Sequence, residues 1–315
     1  MSTLLEVKGL TKHFGDFTAV DGIDFTVKKG EVLGFLGPNG AGKTTAMRMI
    51  TGYLPPTFGN VIIAGFDVHK NPLEVKRRLG YLPEGAPLYE DMTPLELLSF
   101  VADVRGIYES DKNKVIFETA ERINIRHVIN QTIGTLSKGF KRRVGIAQAI
   151  MHDPDVLILD EPTDGLDPNQ KHEVRELINE MAPTKSIIIS THILEEVDVV
   201  CSRAIVIARG RIVANGTPHE LESKSRFHNA VRFTVKEKSA DLETALCALP
   251  NVDETEVLLD EQKRAVITVF PKEGISIIKD LNSCLQKLGC VAEEIHVERG
   301  RLDDVFRKIT QVTQD

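Results

Sequence analysis

Up to about residue 224, short apolar runs alternate with longer stretches in which apolar positions recur every three to four residues, and Gly, Pro, Asp or Ser marks each junction. That rhythm predicts an α/β fold with a largely parallel sheet. The clearest strands are Val32–Leu36, Val156–Leu159, Ser186–Ile189 and Ala204–Ile207, all rich in β-branched residues. They are apolar on both faces, as strands covered by helices on both sides must be. The first ~30 residues alternate apolar and polar positions instead (LLEVKGL, DGIDFTVKKG), which predicts antiparallel strands and a hairpin beside the main sheet. From Pro94 to about Thr135 the chain is helical and charged without a strand candidate, so residues 85–135 read as an inserted α-helical subdomain.

After Glu220 the polar stretch KSRFHN opens a new pattern. Ala230–Val235 reads as a strand, Asp241–Ala248 as a helix, Glu256–Leu259 and Ala265–Phe270 as a strand pair, Ile275–Leu288 as a helix and Glu294–Val297 as a strand. The order βαββαβ predicts a small α+β domain of ferredoxin-like type. Leu302–Ile309 reads as a closing helix. The expected division is therefore 1–224 and 225–315, and 315 residues accommodate two domains at ~100 to 200 residues each.

Composition narrows the class. Hydrophobic residues at 42% and charged residues at 27% fit a globular chain. Runs such as Val156–Leu159 and Ile187–Ile189 are far shorter than the ~18 apolar residues of a membrane span. MSTLLEVKGLTKHF has no apolar stretch after a basic cluster, so no secretory signal is expected and the protein should stay in the cytosol. Net charge is −7, from 39 basic and 46 acidic residues, with no basic stripe, which argues against nucleic-acid binding. Cys201, Cys247, Cys284 and Cys290 form no CxxC pair and read as free thiols rather than a zinc site. Trp is absent and aromatics are 5%, which disfavours carbohydrate or base-stacking surfaces.

Three segments carry chemistry. GPNGAGKT (Gly37, Pro38, Asn39, Gly40, Ala41, Gly42, Lys43, Thr44) lies between the strand ending at Leu36 and a helix through Met47 to Ile50. It satisfies GxxxxGK[ST] in the strand–helix context that makes the match informative. Glycines there let successive N–H groups turn inward on an anion, Lys43 can reach terminal phosphates, Thr44 can bind Mg²⁺, and a helix N-terminus adds positive charge. Asp160 and Glu161 end the strand begun at Val156. Asp160 is placed to hold Mg²⁺ through water, and Glu161 is the candidate base for an attacking water. In LSKGFKRR, Ser137 suits the N-cap of a helix whose first turns carry Lys138, Lys141, Arg142 and Arg143. Positive charge there opposes the helix dipole, and a docking anion would relieve the conflict.

LSKGFKRR resembles the signature motif of ABC-type ATPases, and the remaining motifs follow in that family's order. The chain is similar to the nucleotide-binding subunit of an ABC transporter across roughly residues 4 to 220, and more narrowly to bacterial exporter ATPases of the drug-efflux or gliding-motility type. GYLPE with PLYEDMTPLE, LSKGF, PTDGLDPNQ and the C-terminal extension carry the narrower match. The resemblance implies that Phe14 stacks on adenine, that residues Gly37 through Thr45 hold the phosphates, and that Ser137 and Gly139 contact the γ-phosphate held by the opposite subunit. It places Tyr81–Glu84 as the Q-loop, Asp164–Asp167 as the D-loop and His192 as the switch histidine. It implies ATP hydrolysis with Lys43, Glu161 and His192 catalytic, and Mg²⁺ held by Thr44, Asp160 and Glu84.

Three departures stand out. Glu84 replaces the usual Gln and adds a negative charge, Lys138 replaces a Gly, and Phe140 replaces a Gln. One phosphate loop and one signature per chain imply a head-to-tail homodimer closed by ATP. The further partner implied is a membrane-spanning permease touched by residues 84–135, at the cytoplasmic face of the inner membrane. The permease would select the cargo. A soluble ABC ATPase of translation or DNA maintenance is the alternative, but such chains carry two nucleotide-binding domains, long coiled coils or zinc modules. A module that binds ATP without turnover is a third reading, against which Glu161 and His192 argue.

Overall fold

Apolar residues at alternate positions lay one face of two long strands, β1 (Thr3–Phe14) and β2 (Phe17–Lys28), against a core: Leu5, Val7 and Leu10 from the first, Ile23, Phe25 and Val27 from the second. In the computed structural model, which describes residues 2–85, 87–236, 240–259 and 264–311, these strands pair antiparallel with Val7 opposite Phe25. The chain continues through β3 (Val32–Leu36), α1 (Lys43–Ile50), β4 (Phe58–Ile63), β5 (Phe66–Asp67), α2 (Pro72–Arg78) and β6 (Leu79–Leu82). An antiparallel sheet of order β2-β1-β4-β5 results.

The inserted helical block is α3 (Pro94–Arg105) and α4 (Glu109–Arg122), followed by short 3-10 turns at Arg126–Val128 and Ile133–Thr135 and by α5 (Lys138–Ile150). Local chemistry sets its first boundary. Thr93 and Glu96 form a capping box, with the Thr93 N–H donating to Glu96 at 2.7 Å and the Glu96 N–H donating to Thr93 at 3.2 Å. Gly106 ends α3 at φ 71°. Then come β7 (Val156–Asp160), α6 (Pro168–Met181), β8 (Ser186–Thr191), α7 (Leu194–Val200), β9 (Arg203–Ala208) and β10 (Arg211–Gly216).

The second sheet has the order β10-β9-β3-β8-β7-β6, and β9, β3, β8, β7 and β6 run parallel to one another. Every residue of β3, β7 and β8 is buried, as their two-sided apolar character requires. Leu36 lies opposite Thr191, Asp160 opposite Ser190, and Leu82 opposite Leu159. The carboxyl ends of four strands are therefore level, which is where open α/β sheets bind ligands.

Contacts divide the chain into Met1–Asn215 and Gly216–Asp315, ahead of the 224/225 boundary read from the sequence. Residues 216–224 go with the second unit because α8 (Pro218–Glu222) packs near its last helix. Ser225 Oγ donates to Asp304 at 2.8 Å and the Arg226 N–H to the same carboxylate at 3.0 Å. This unit comprises α8, β11 (Val231–Val235), α9 (Ala240–Cys247), β12 (Val252–Leu259), β13 (Ala265–Pro271), α10 (Ile278–Lys287), β14 (Glu294–Val297) and α11 (Leu302–Gln311). Its strands pair antiparallel in the order β12-β13-β11-β14, over a core that includes Phe233, Leu246, Ile267, Val269 and Leu281.

The largest differences from the sequence reading are at the starts of two elements, the others shifting by one or two residues at an end. Strand β12 starts at Val252 rather than Glu256, because Val252 pairs with Pro271 and carries the ladder further back. Helix α10 starts at Ile278 rather than Ile275, because Lys272–Gly274 forms a 3-10 turn whose Gly274 carbonyl is held by Asn229 at 2.7 Å.

Candidate functional site

The loop from Gly37 to Gly42 joins β3 to α1 and is shaped before any ligand arrives. Gly42 sits at φ 104°, and a Cβ there would stand 2.4 Å from the Ala19 carbonyl, so no other residue fits. The Ala41 N–H donates to Pro38 at 3.2 Å, and the Gly210 N–H to Ala41 at 2.9 Å. Asn39 and Gly40 are exposed at the tip, while Gly37 and Ala41 are buried at the base. No side chain caps α1, so the N–H groups of its first turn, Thr44 and Thr45 among them, are available to an anion.

Lys43 is the buried charge of this loop, 7% exposed, and its Nζ donates to the Gly37 carbonyl at 2.7 Å and to Pro38 at 3.2 Å. Burial holds its pKa below the usual lysine value, against the opposing pull of Glu161, Asp160 and Glu84. Carbonyl oxygens thus occupy donors that phosphate oxygens would satisfy better.

Asp160 ends β7 with 1% exposure. One carboxylate oxygen accepts the Ser190 hydroxyl, and Oδ2 is buried without a hydrogen-bond partner. Burial raises its pKa, and the Ser190 hydrogen bond opposes that shift. Glu161 follows at φ 51°, a left-handed backbone that L residues rarely adopt. Its N–H donates to the Ser190 carbonyl at 3.0 Å, and its Oε2 lies 2.7 Å from His192 Nδ1. His192 follows β8, so adjacent strands deliver the carboxylate and the imidazole to one point. Across the same gap, Thr44 Oγ1 donates to Glu84 Oε2 at 3.5 Å.

The sequence-derived set is thereby brought together in part. Lys43, Thr44, Glu84, Asp160, Glu161 and His192 converge on the carboxyl edge of the sheet. Phe14 is 50% exposed at the end of β1, with Lys12 Nζ 5.2 Å from its ring centroid, and offers a free aromatic face. Ser137 caps α5, accepting from the Phe140 N–H at 3.4 Å, and Gly139 is buried two residues further on. Among the described residues, no hydrogen bond joins Ser137 to the Gly37–Thr45 segment of its own chain. Asp167 caps α6 by accepting from the Gln170 N–H at 2.9 Å.

The basic start of α5 is not the open cationic face that its sequence predicts. Lys141 pairs with Glu90 at 2.9 Å, Arg143 pairs with Glu173 at 2.5 Å, and Arg142 turns inward with 5% exposure. These partners offset part of the conflict with the helix dipole within the chain itself. The Arg142 guanidinium donates to four backbone carbonyls: Pro162 at 3.2 Å, Pro83 at 3.4 Å, and those of Asp160 and Glu161.

Glu196 was not legible either. This α7 carboxylate is 4% exposed and accepts hydroxyls from Thr163, two residues after Glu161, and from Thr191 at 2.9 Å, the residue before His192. In HILEEVD nothing distinguishes it from Glu195. Glu196→Gln puts an amide N–H₂ against one of two buried hydroxyls. It is expected to cost about 1–3 kcal/mol in unfolding free energy, read by denaturant titration of the full chain.

A sequence profile described as the ABC transporter family matches residues 20–164. The chain is 38% identical over 224 residues to the probable multidrug ABC transporter ATP-binding protein YbhF of Escherichia coli (strain K12), covering 71% of this chain and 39% of that protein. It therefore spans well under half of that relative's length. It is 34% identical over 255 residues to the linearmycin resistance ATP-binding protein LnrL of Bacillus subtilis (strain 168), covering 81% of this chain and 82% of LnrL. Among solved structures, CbiO1 from Clostridium perfringens, described as part of the ABC transporter complex CbiONQ, matches with a TM-score of 0.64 at 31% identity, covering 71% of this chain and 92% of that one.

Proposed function

Because this chain belongs to the ABC transporter family of ATP-binding proteins, we propose that it is the ATP-hydrolysing subunit of a membrane exporter. The observation that carries this reading is the meeting of Lys43, Asp160, Glu161 and His192 around one glycine loop. The relatives' names, multidrug and linearmycin resistance, support export over a soluble role in translation or DNA maintenance.

In this reading the loop N–H groups and Lys43 bind the β- and γ-phosphates, and Phe14 stacks on adenine. Glu161, held in place by its left-handed backbone and by His192, takes the proton of the attacking water. The residues present fit a magnesium ion. Asp160 Oδ2 is an orphaned buried acceptor, Thr44 Oγ1 donates to Glu84, and these hard oxygen donors are of the kind Mg²⁺ takes. Among the described residues no three His, Cys, Asp or Glu side chains form a metal cluster. That agrees with an ion bound by a few side chains, waters and substrate phosphates. Thr44, Asp160 through water, and Glu84 would hold it, and it would neutralise charge on the transferred phosphoryl group.

Ser137 and Gly139 complete the γ-phosphate contacts of a second copy in a head-to-tail dimer with two equivalent sites. Loss of the γ-phosphate removes what Lys43, His192 and the opposite Ser137 share, and the closed state loses its advantage. No described helix is long and apolar enough to cross a membrane. The membrane step then belongs to a permease, contacted at the cytoplasmic face by residues 84–135.

Purified full-length chain is expected to release phosphate from Mg²⁺-ATP. No turnover even with its membrane partner would favour an ATP-binding module instead. Glu84→Gln takes one anionic oxygen from the groups that would hold the ion and is expected to raise the Mg²⁺ concentration giving half-maximal turnover. Unchanged rate and unchanged Mg²⁺ dependence would remove Glu84 from the ion's surroundings.

A further inference from the structure

We propose that Arg142 is a positioning residue that ties the Glu84 loop to the Asp160–Glu161 step through the backbone carbonyls of both segments. The inference rests on the reading of Asp160, Glu161 and Glu84 given above and adds a residue that reading did not contain.

Strands β6 and β7 are neighbours whose pairing ends at Leu82 and Leu159. Beyond those residues the β6–β7 ladder ends, while Asp160 still pairs with Ser190 of β8, and carbonyls along the β6–β7 seam lose their partners. Buried carbonyls need another donor. Arg142 supplies it on both sides at once, reaching Pro83 in one segment and Asp160, Glu161 and Pro162 in the other. A guanidinium suits this task because its five N–H donors form a rigid planar fork, which a lysine ammonium cannot reproduce.

The bonded positions are those whose geometry matters most. Pro83 directly precedes Glu84, so fixing its carbonyl fixes where the Glu84 side chain starts. On the other side the bonds bracket Glu161, whose φ of 51° needs a surrounding structure that enforces it. Arg142 also stands in the second turn of α5, the helix capped by Ser137. One side chain thus links the signature helix, the Glu84 loop and the base.

Charge adds an independent observation. Burial disfavours the Arg142 cation, and Asp164, Asp160, Glu161 and Glu84 favour it, in that order. Lys43 feels three of the same carboxylates, Glu161, Asp160 and Glu84. Two buried cations therefore serve a site that gathers Asp160, Glu161 and Glu84 before any phosphate enters. Lys43 is held by the carbonyls of Gly37 and Pro38, and Arg142 by those of Pro83 and 160–162. Removing Glu84's charge should lessen what Arg142 must balance.

The test is a double-mutant cycle on the full-length chain with Arg142→Gln, Glu84→Gln and both together. Its readouts are kcat, KM for ATP, the Mg²⁺ dependence of equilibrium ATP binding, and thermal unfolding. Arg142→Gln is expected to lower kcat at least tenfold, leave KM within about threefold, and lower the Mg²⁺ needed for half-maximal ATP binding, because the carboxylates lose a neighbouring cation. Adding Glu84→Gln should return that Mg²⁺ requirement to within about threefold of Glu84→Gln alone, so the two effects do not multiply. Arg142→Lys should keep the Mg²⁺ requirement near the parent's and still lose turnover, because the charge remains and the fork does not.

Independent, multiplicative effects of the two replacements would overturn the proposal, as would an unchanged kcat in Arg142→Gln. If Arg142→Gln does not fold, turnover of Arg142→Lys is the test, and full turnover in that variant overturns the proposal equally. A parent chain that hydrolyses ATP beside a multiplicative cycle defeats only this inference. A parent chain that neither binds nor hydrolyses ATP defeats the functional reading with it.

Discussion

Glu161→Gln is expected to lower ATP turnover by about 10²- to 10⁴-fold, the contribution of a positioned general base, while ATP binding persists. The replacement is nearly isosteric, and a glutamine oxygen can still accept from His192 Nδ1, which lies 2.7 Å from the present carboxylate. The left-handed turn at position 161 is backbone geometry held by Arg142 and by the Ser190 carbonyl, so it survives the change. What is lost is the capacity to take a proton from water. Binding is carried by Lys43 and the loop N–H groups, which this variant leaves alone. ATP should therefore accumulate in the site and hold two chains together. Phosphate-release kinetics and the elution volume with ATP check both halves. Full turnover would remove Glu161 as the base, and a variant that stays monomeric with ATP would overturn the head-to-tail dimer.

Lys43→Ala is expected to weaken ATP binding by about 10²-fold or more, in keeping with the ~2–5 kcal/mol lost when one member of a buried charged pair is truncated. Two effects act in the same direction. The ammonium that would meet the terminal phosphates is gone, and so is the tether that draws the Gly37 and Pro38 carbonyls inward at 2.7 Å and 3.2 Å. With the cation absent, Asp160, Glu161 and Glu84 face the phosphates with less to offset them. Equilibrium titration with ATP, with and without Mg²⁺, measures the loss. Binding within about threefold of the parent would mean that the loop amides alone carry the phosphates.

Glu196→Gln, predicted above to cost stability, separates from these two because it acts on the neighbours Thr163 and Thr191 rather than on the substrate. A variant that unfolds earlier yet keeps its KM would place Glu196 as a support for the β7 and β8 tips.

Much of the first unit was legible because its signals are local. Unbroken apolar runs such as Val156–Leu159 and Ser186–Ile189 can be satisfied only with both faces covered, and they are buried along their whole length. The alternation in the first ~30 residues likewise yields the hairpin β1–β2. The glycine loop was equally plain, since Gly42 answers a backbone requirement, φ 104° beside the Ala19 carbonyl, that no other residue meets. In the second unit the order of elements was readable, but starts such as Val252 and Ile278 were not. A strand runs as far as its partner pairs, and a helix starts where a turn such as Lys272–Gly274 releases the chain.

The sequence by itself thus determined the strand and helix order, the phosphate loop and the candidate acids and base, because periodicity and backbone permissiveness act over a few neighbouring residues. Only the tertiary structure decided which charges are free. LSKGFKRR reads as a row of equivalent cations, yet Lys141 and Arg143 are spent on Glu90 and Glu173, and Arg142 points into the protein. Its partners are carbonyls at Pro83 and at 160–162, and Glu196 depends in the same way on Thr163, far from it in sequence. Carbonyl groups are identical in every residue, so no pattern of side chains announces which of them the level strand tips will leave in need of a donor.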